Sequence, residues 1–445
     1  MLKKWIVGLV ACASIMGART VVAEVNFDQG VDVKAVVEQV KASIPQDAVA
    51  EKGLANWTIM VYVNAKNNLE KFGLGDVNEM EQVGSSDKVK IAVELGRMAR
   101  YDTSDGGWKG HRRYIVQKDS DPKHISSPIL QDIKKADMGD WNHLVDFVKW
   151  AQTTAPAQHY MLIVWNHGSG WDLMHHKKAD FAIRGISYDD ETGHHISTLD
   201  LGSALASIGK IDIYGSYACL MQMPEVDYQI KDYTDYVVGS EETEPGDGYT
   251  YNTFLGPIVA RPSMTAAEVA KTAVDSYRDH YAQSNEGATQ SAIRTSMLPQ
   301  LVTRLNDWTK AVMAANETAA VKAAHSQALS FAVSDNKDLI QFVNLIGAAT
   351  KSDEVKRTGD EVVKLLKAGI IENGTSGSGY DNANGLSIYL PNYSYNSDYD
   401  TLAWAKAGTW PQFAKWVMGL GSNSNENGSD QGGSGQDDPA RRSRQ

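Results

Sequence analysis

The sequence predicts an α/β protein, a three-layer α/β/α sandwich around a mostly parallel sheet, with helical additions at its C-terminal end. Apolar strand patterns such as 57–65 and 159–165 alternate with amphipathic helix patterns such as 140–156. Repeated strand–helix–strand units place parallel strands side by side between two layers of helices. Beyond about residue 262 the apolar spacing becomes mainly helical, which predicts the additions.

The first half of this core contains four predicted strands. An unbroken apolar run at 57–65 indicates a fully buried strand. A helix follows, and Gly84 is the residue type that ends helices. The runs 89–95 and 111–117 predict two more strands, and the helix 140–156 carries Leu144, Phe147, Val148 and Ala151 on one face. The fourth strand is the run 159–165 described above.

The second half of the core starts with a loop of about 30 residues, 168–197, a length that is usually functional. A helix at 198–209 follows with Thr198 as its N-cap, and then a strand at 210–219. The next helix begins at Pro224, which suits a first turn, and the last strand of the core is 235–242. In the extension the helical patterns are 265–281, 298–315, 336–349 and 352–369, and two apolar pieces, 291–298 and 385–391, could return to the sheet.

The domain boundaries follow from these changes of pattern. We assign residues 1–23 to a signal peptide and 24–55 to a helical lead-in or pro-segment. The α/β core is 56–262, and the helix-rich extension packed on it is 263–420. Residues 421–445 are rich in Gly, Ser, Asn and Asp and are predicted to be a disordered tail.

The N-terminal segment has the pattern of a bacterial export signal, with Lys3 and Lys4 before a short apolar stretch. This stretch is too short to remain as a membrane span, so we expect no transmembrane helix. Cleavage would give a secreted or periplasmic protein. The sequence Leu-Val-Ala-Cys also resembles a lipobox, and the alternative is a surface lipoprotein anchored through Cys12.

Bulk composition excludes some partners. The chain has 445 residues, a net charge of −12 and no long basic stretch. Such a chain is a poor candidate for binding nucleic acid or an anionic membrane surface. No Walker loop or dinucleotide fingerprint is present, and we expect no cofactor and no metal. The histidine pairs 175–176 and 194–195 lack helical ligand spacing, and we interpret both as surface loop.

The chemistry is predicted where two strands end. His167 follows one strand and Cys219 follows another, and Cys219 is the only cysteine after Cys12. Parallel strands place their C-terminal ends at one edge of a sheet, where ligands bind. If the two strands are neighbours, about 4.8 Å apart, the imidazole and the thiol come within reach of each other. Each residue alone is more often structural than catalytic, and only the pair favours chemistry.

The proposed chemistry is nucleophilic attack on a carbonyl. A helix soon after Cys219 is expected to favour its thiolate, and His167 would act as general base and acid. Gly168 has no Cβ, so its N–H can approach a substrate oxygen closely. Together with the N–H of Cys219 it would form an oxyanion hole, worth about 3 kcal/mol per donor.

These segments resemble the clostripain family of bacterial cysteine endopeptidases, in the caspase–gingipain–legumain superfamily. The resemblance rests on WNHGSGW, IDIYGSYACLMQMPEV and YVVGSEETEPGDGYTY, with support from the first strand and helix. It covers residues 56–255 and continues weakly to about 420. It implies a caspase-like sandwich and a Cys–His dyad without a third acid. By motif the dyad is His167 and Cys219, and Gly168 supplies part of the oxyanion hole.

The family typically cleaves after Arg or Lys, whose side chain is bound by acidic residues. This chain departs from the pattern, because Tyr217 stands where Asp-Ala-Cys usually begins. Asp247 matches a second acidic position and is the predicted substrate-binding carboxylate. Tyr217 could stack on a guanidinium or line an apolar pocket.

Family members often mature by self-cleavage in the loop after the catalytic histidine. Lys177, Lys178 and Arg184 are available there, so autoprocessing within 172–190 is predicted, against the alternative of a solvated basic loop. Some members depend on calcium, but no loop here has calcium-type spacing.

The resulting hypothesis is an exported cysteine endopeptidase that hydrolyses protein or peptide substrates through the His167–Cys219 dyad and prefers Arg or Lys at P1. Two alternatives remain open. One is a catalytically silent surface-binding protein on the same fold. The other is an amidase or transpeptidase with the same dyad.

Overall fold

The computed structural model describes residues 54–171 and 185–422. The predicted signal peptide and lead-in therefore lie outside the described residues, except for residues 54 and 55. The predicted tail from 423 onward and the processing candidates Lys177, Lys178 and Arg184 lie outside them as well.

Thirteen strands form one large and two small sheets in the described part of the chain. In chain order they are β1 (Ala55–Ala65), β2 (Val89–Arg97), β3 (Gly110–Ile115), β4 (Gln131–Ile133), β5 (Ala157–Trp165), β6 (Ile186–Asp189), β7 (His194–Ile196), β8 (Ile211–Tyr217), β9 (Thr234–Gly239), β10 (Ala288–Arg294), β11 (Asn336–Asp338), β12 (Ile370–Ser376) and β13 (Ser387–Tyr389).

The large sheet has nine strands in the order β12-β10-β9-β8-β5-β1-β2-β3-β4. Its five central strands, from β9 to β2, are parallel, and the strands added at both edges are antiparallel. The small sheets pair β6 with β7 and β11 with β13. The predicted parallel arrangement is thus confirmed in the centre of the sheet.

Twelve α-helices occur in the same described ranges. They are α1 (Glu70–Val83), α2 (Trp141–Thr154), α3 (Thr198–Ile208), α4 (Pro224–Ile230), α5 (Tyr251–Ala260), α6 (Ala266–Ser284), α7 (Leu298–Ala315), α8 (Thr318–Gln327), α9 (Leu339–Ala349), α10 (Asp353–Gly369), α11 (Ala403–Ala407) and α12 (Trp410–Ser422).

Alternating side chains of the central strands build two separate cores. In β1, Met60 and Tyr62 point into one core, whereas Ile59, Val61 and Val63 point into the other. The first core is closed by α2, α3, α4 and most helices of the extension, and the second by α1, α5 and α6. Because helices cover both faces, the three-layer sandwich predicted from the sequence is confirmed.

The extension does more than pack on the core, because it supplies two strands to the large sheet. The predicted strand at 291–298 is confirmed in part as β10, which begins earlier, at Ala288, and ends at Arg294. The segment 385–391 instead pairs with β11 in a small sheet. The edge strand β12 was not predicted, since Glu-Asn-Gly-Thr-Ser lacks the apolar alternation of a buried strand.

Two local predictions near the long loop are corrected. The N-cap of α3 is Ser197 rather than Thr198, and a capping box joins the Ser197 hydroxyl to Asp200. The second half of the loop 168–197 is not irregular, because β6 and β7 form a hairpin there. Among the described helices, none has the length and apolar character that crossing a bilayer requires.

A buried carboxylate organises the chain after β2. Glu70, at the start of α1, accepts hydrogen bonds from the amides of Met98, Ala99, Arg100 and Tyr101 at 2.6–3.1 Å. Its side chain is fully buried and also lies 3.4 Å from the Arg97 guanidinium. The Asp102 amide is a fifth donor at 3.4 Å, so five amides and one cation satisfy the buried charge.

We expect Glu70→Gln to lower the free energy of unfolding by about 2–3 kcal/mol, because a neutral amide replaces a charged acceptor of several buried amides. Urea denaturation followed by tryptophan fluorescence measures the change. The matched control is Glu354→Gln, whose exposed pair with Arg357 is screened by solvent, so its unfolding midpoint should stay close to that of the wild type. Equal midpoints for both variants would contradict the assignment.

Candidate active site

His167 and Cys219 lie at the same edge of the large sheet. Strands β5 and β8 are parallel neighbours, and Trp165 stands opposite Tyr217 in their register. His167 lies two residues after Trp165, and Cys219 lies two residues after Tyr217. The register continues past the strand ends, since the Asn166 amide donates to the Tyr217 carbonyl at 3.2 Å. The adjacency that the sequence argument assumed is therefore present.

Gly168 packs directly against the backbone of Cys219. A Cβ placed on Gly168 would lie 2.4 Å from the Cys219 carbonyl oxygen and 2.9 Å from the Ala218 Cβ. Residue 168 also forms an isolated bridge with Ile186 of β6, which fixes the chain on its other side. Only glycine therefore fits at position 168. The short distance between the two backbones brings the predicted oxyanion donors, Gly168 and Cys219, to neighbouring positions.

The thiol of Cys219 is half-buried and accepts a hydrogen bond. The Glu244 amide donates to Sγ at 3.2 Å. Burial, together with the nearby Glu244 carboxyl, raises the pKa of Cys219 to about 11. The expectation that a following helix favours the thiolate is therefore wrong for the resting protein. Helix α4 begins only at Pro224, and its seven residues do not offset the burial.

His167 is half-buried and is held by a side chain that the sequence analysis did not single out. Its Nε2–H donates to Oδ1 of Asn68 at 2.7 Å. Burial lowers the pKa of His167, and the charge of Asp190 opposes this only in part. The imidazole is therefore neutral at pH 7, with Nδ1 left as its basic nitrogen.

Asn68 follows the C-terminal end of β1, the strand next to β5, and so lies at the same sheet edge as His167. Its position after a strand was visible in the sequence as Asn67-Asn68. What the sequence did not give was the strand order, which places β1 rather than another strand beside β5.

Tyr217 lies in the second core. Its ring is 2 % exposed and stacks on Tyr249 with centroids 3.3 Å apart. A substrate side chain can reach this ring only if the stack opens. Asp247 is exposed in the loop after β9. Of the two predicted substrate-binding residues, Tyr217 is therefore buried and Asp247 is accessible to solvent.

Carboxyl groups from two elements gather beside Asp247. Asp76 and Glu79 lie on α1, which approaches the loop: a Cβ on Gly248 would be 4.0 Å from Asp76 Oδ2, and the Tyr251 amide donates to Glu79 at 2.9 Å. Burial raises the pKa of Asp76, and the charge of Glu79 adds to the effect. Burial likewise raises the pKa of Glu244 to about 8. This acidic cluster, Asp76, Glu79, Glu244 and Asp247, was only partly recognised in the sequence.

The histidines at 194 and 195 belong to β7 rather than to a loop. His194 is exposed and contacts the Asp137 carboxylate. His195 stacks on Tyr188 with centroids 5.2 Å apart. His175 and His176 lie outside the described residues.

Comparison with known proteins decides the family. The model of the clostripain family matches residues 61–416, most of the chain. The chain belongs to the clostripain family. It is 27 % identical over 224 residues to clostripain of Hathewaya histolytica, a match that covers 46 % of this chain and 42 % of that protein. The chain thus spans less than half the length of this curated clostripain relative.

Solved structures of clostripain-type proteins share the fold. A secreted C11 cysteine protease from Bacteroides thetaiotaomicron, solved with an irreversible peptide inhibitor, superposes with a TM-score of 0.63 at 21 % identity, covering 80 % of this chain and 99 % of that one. An inactive zymogen C11 protease from Parabacteroides distasonis gives a TM-score of 0.58 at 18 % identity, covering 80 % and 98 %. The likeness establishes the caspase-like fold predicted from the sequence.

The raised thiol pKa predicts how Cys219 reacts with iodoacetamide. Only the thiolate is alkylated, so between pH 7 and pH 10 the rate should rise about tenfold per pH unit. Mass spectrometry of the tryptic peptide that contains Cys219 follows the rate. A rate that levels off below pH 8 would indicate a preformed thiolate and contradict the assignment. Cys219→Ser provides the blank.

Proposed function

We propose that this clostripain-family protein is an exported cysteine endopeptidase that uses Cys219 as nucleophile and His167 as general base and acid. The single observation that carries the proposal is the pairing of β5 with β8, which brings both residues to one sheet edge. Family membership supports the reaction class.

The neutral resting state dictates the order of proton transfer. The thiol is protonated at pH 7 because its pKa is about 11, and the imidazole is an unprotonated base. When a peptide carbonyl arrives, Nδ1 of His167 takes the thiol proton as Sγ forms a bond to the carbonyl carbon. The imidazolium then protonates the leaving amine, and water hydrolyses the thioester with the same base.

Backbone amides would stabilise the tetrahedral oxyanion. The main chain of Gly168 lies against the main chain of Cys219, because glycine has no Cβ that would collide with the Cys219 carbonyl oxygen. Two such donors, aimed at the developing charge, would lower the barrier by about 3 kcal/mol each.

The acidic cluster supports a preference for Arg or Lys at P1. Asp76 Oδ2 is buried and has no hydrogen-bond partner among the described residues, and Asp247 raises the pKa of Glu79 further. A cation beside Glu79 and Asp247 would relieve their mutual repulsion and would favour ionisation of the neighbouring Asp76. An arginine or lysine side chain supplies that cation, and this compensates for Tyr217 at the usual aspartate position.

The remaining parts of the proposal concern maturation and location. We propose export through residues 1–23, giving a secreted or periplasmic protein, with lipidation of Cys12 as the alternative. Self-cleavage within 172–190 after Lys177, Lys178 or Arg184 would follow from the same P1 preference. The reaction as written needs no cofactor.

A panel of fluorogenic peptides that differ only at P1 tests the reaction and its preference. We expect cleavage after Arg and Lys, and a fall in kcat/KM of at least about 10³-fold for Cys219→Ala, because the covalent step is lost. Asp247→Asn should lower kcat/KM for Arg by about tenfold and leave apolar P1 peptides unchanged. Asp87→Asn, an exposed charge outside the acidic cluster, is the control.

Retained cleavage by Cys219→Ala would end the thiol mechanism. Preference of the wild type for apolar P1 would end the role of the acidic cluster. Aminolysis products that dominate in the presence of an added amine would favour the transpeptidase alternative.

The contact between Asn68 and His167 predicts a pH effect. Activity should fall as the pH drops through the lowered pKa of His167, because the imidazolium cannot accept the thiol proton. Asn68→Asp places a carboxylate on the ring, which stabilises the imidazolium and moves this acid limb to higher pH. Asn68→Ala should lower kcat by about 10²-fold through misorientation.

The pH dependence of kcat/KM for a P1-Arg peptide measures both effects. Asn344→Asp adds the same charge at an exposed asparagine on α9 and should leave the profile unchanged. Identical profiles for Asn68→Asp and Asn344→Asp would show that Asn68 does not position the base.

A further inference from the structure

Three potential metal ligands meet on the first-core face of the sheet, away from the candidate active site. Glu94 lies on β2, His111 on β3, and His143 in the first turn of α2. Their ligand atoms all lie within 4.8 Å of one another. The side chains of Glu94 and His111 are 0 % and 1 % exposed, and that of His143 is 14 % exposed.

The strand register explains how the cluster forms. Glu94 stands opposite Arg113, and Gly96 stands opposite His111, so all their side chains share one face. A Cβ on Gly96 would lie 3.3 Å from Nδ1 of His111 and 2.1 Å from Sδ of Met138. Glycine at 96 therefore leaves the space into which the His111 ring is turned.

The two histidines are oriented like ligands of one ion. Their rings lie 5.5 Å apart and nearly perpendicular. Nε2 of His143 contacts Oε1 of Glu94, and Nδ1 of His111 lies 3.5 Å from the same oxygen. Nε2 of His111 has no hydrogen-bond partner in the described ranges, although the ring is buried. A buried polar group without a partner is costly unless something binds it.

Arg113 binds one oxygen of the Glu94 carboxylate and leaves the other oxygen available to an ion. Its Nε donates to Oε2 of Glu94 at 2.6 Å, and its other nitrogens donate to Asp146 and Gln131. Oε2 is thereby occupied, and Oε1 is left facing both imidazoles.

We propose that Glu94, His111 and His143 bind one divalent cation of the Zn²⁺ class. Two imidazole nitrogens and one carboxylate oxygen suit zinc, whereas calcium and magnesium prefer sites made of oxygen atoms. Ligand bonds of about 2.0–2.1 Å to a tetrahedral ion require Nε2 of His143 and Oε1 of Glu94, which are in direct contact, to move apart. The ion would join the β2–β3 edge to the first turn of α2.

Zinc titration of the full chain, stripped with a chelator, tests the site. We expect one equivalent bound by calorimetry, and tetrahedral d–d absorption bands when Co²⁺ replaces Zn²⁺. His143→Ala and the milder His143→Gln should weaken binding at least tenfold. His194→Ala removes an exposed histidine outside the cluster and should bind like the wild type.

Cys219→Ala separates this site from the candidate dyad, which could itself bind zinc, and it should still bind one equivalent. Loss of binding in Cys219→Ala would overturn the proposal. Unchanged affinity in both His143 variants, failure of the folded wild type to bind, or displacement of Zn²⁺ by equimolar Ca²⁺ would overturn it as well. Circular dichroism shows whether each variant is folded.

Discussion

The parallel pairing of β5 with β8 is the constraint on which the candidate site depends. Two strands far apart in the chain end at the same level, and each continues for two residues to a reactive side chain. Gly168 lets the two backbones touch, because any side chain there would collide with the Cys219 carbonyl. The buried apolar strands below hold this edge rigidly, so chemistry is carried by loops on a fixed scaffold.

Electrostatics in the site favours neutral groups before substrate binds. Burial keeps the thiol protonated and the imidazole unprotonated, and it also raises the pKa of Asp76. The same low-dielectric surroundings strengthen any charge interaction that a substrate brings. A cationic side chain would therefore gain more from Asp76, the buried member of the acidic cluster, than from an exposed carboxylate such as Asp247.

The central strands of the fold and two residues of the candidate site could be predicted from the sequence. Apolar runs located the central strands, and the residues after β5 and β8 located His167 and Cys219. The edge strand β12 was not predicted, because a strand that pairs with only one neighbour does not require apolar alternation. Two features could not be predicted: the position of Asn68, and the cluster of Glu94, His111 and His143. Strand order and register bring these residues to their partners, and no spacing along the chain encodes strand order or register. The thiol pKa depends on burial by the loop carrying Glu244, which local pattern cannot supply.

A protonated Cys219 has a consequence for chemical durability. Peroxide and disulfides react with thiolates and far more slowly with thiols. At neutral pH a sulfhydryl group whose pKa is about 11 is ionised in only about one molecule in 10⁴. Sulfenic acid would therefore form slowly at Cys219 in an oxidising medium, and the thiol would persist unmodified.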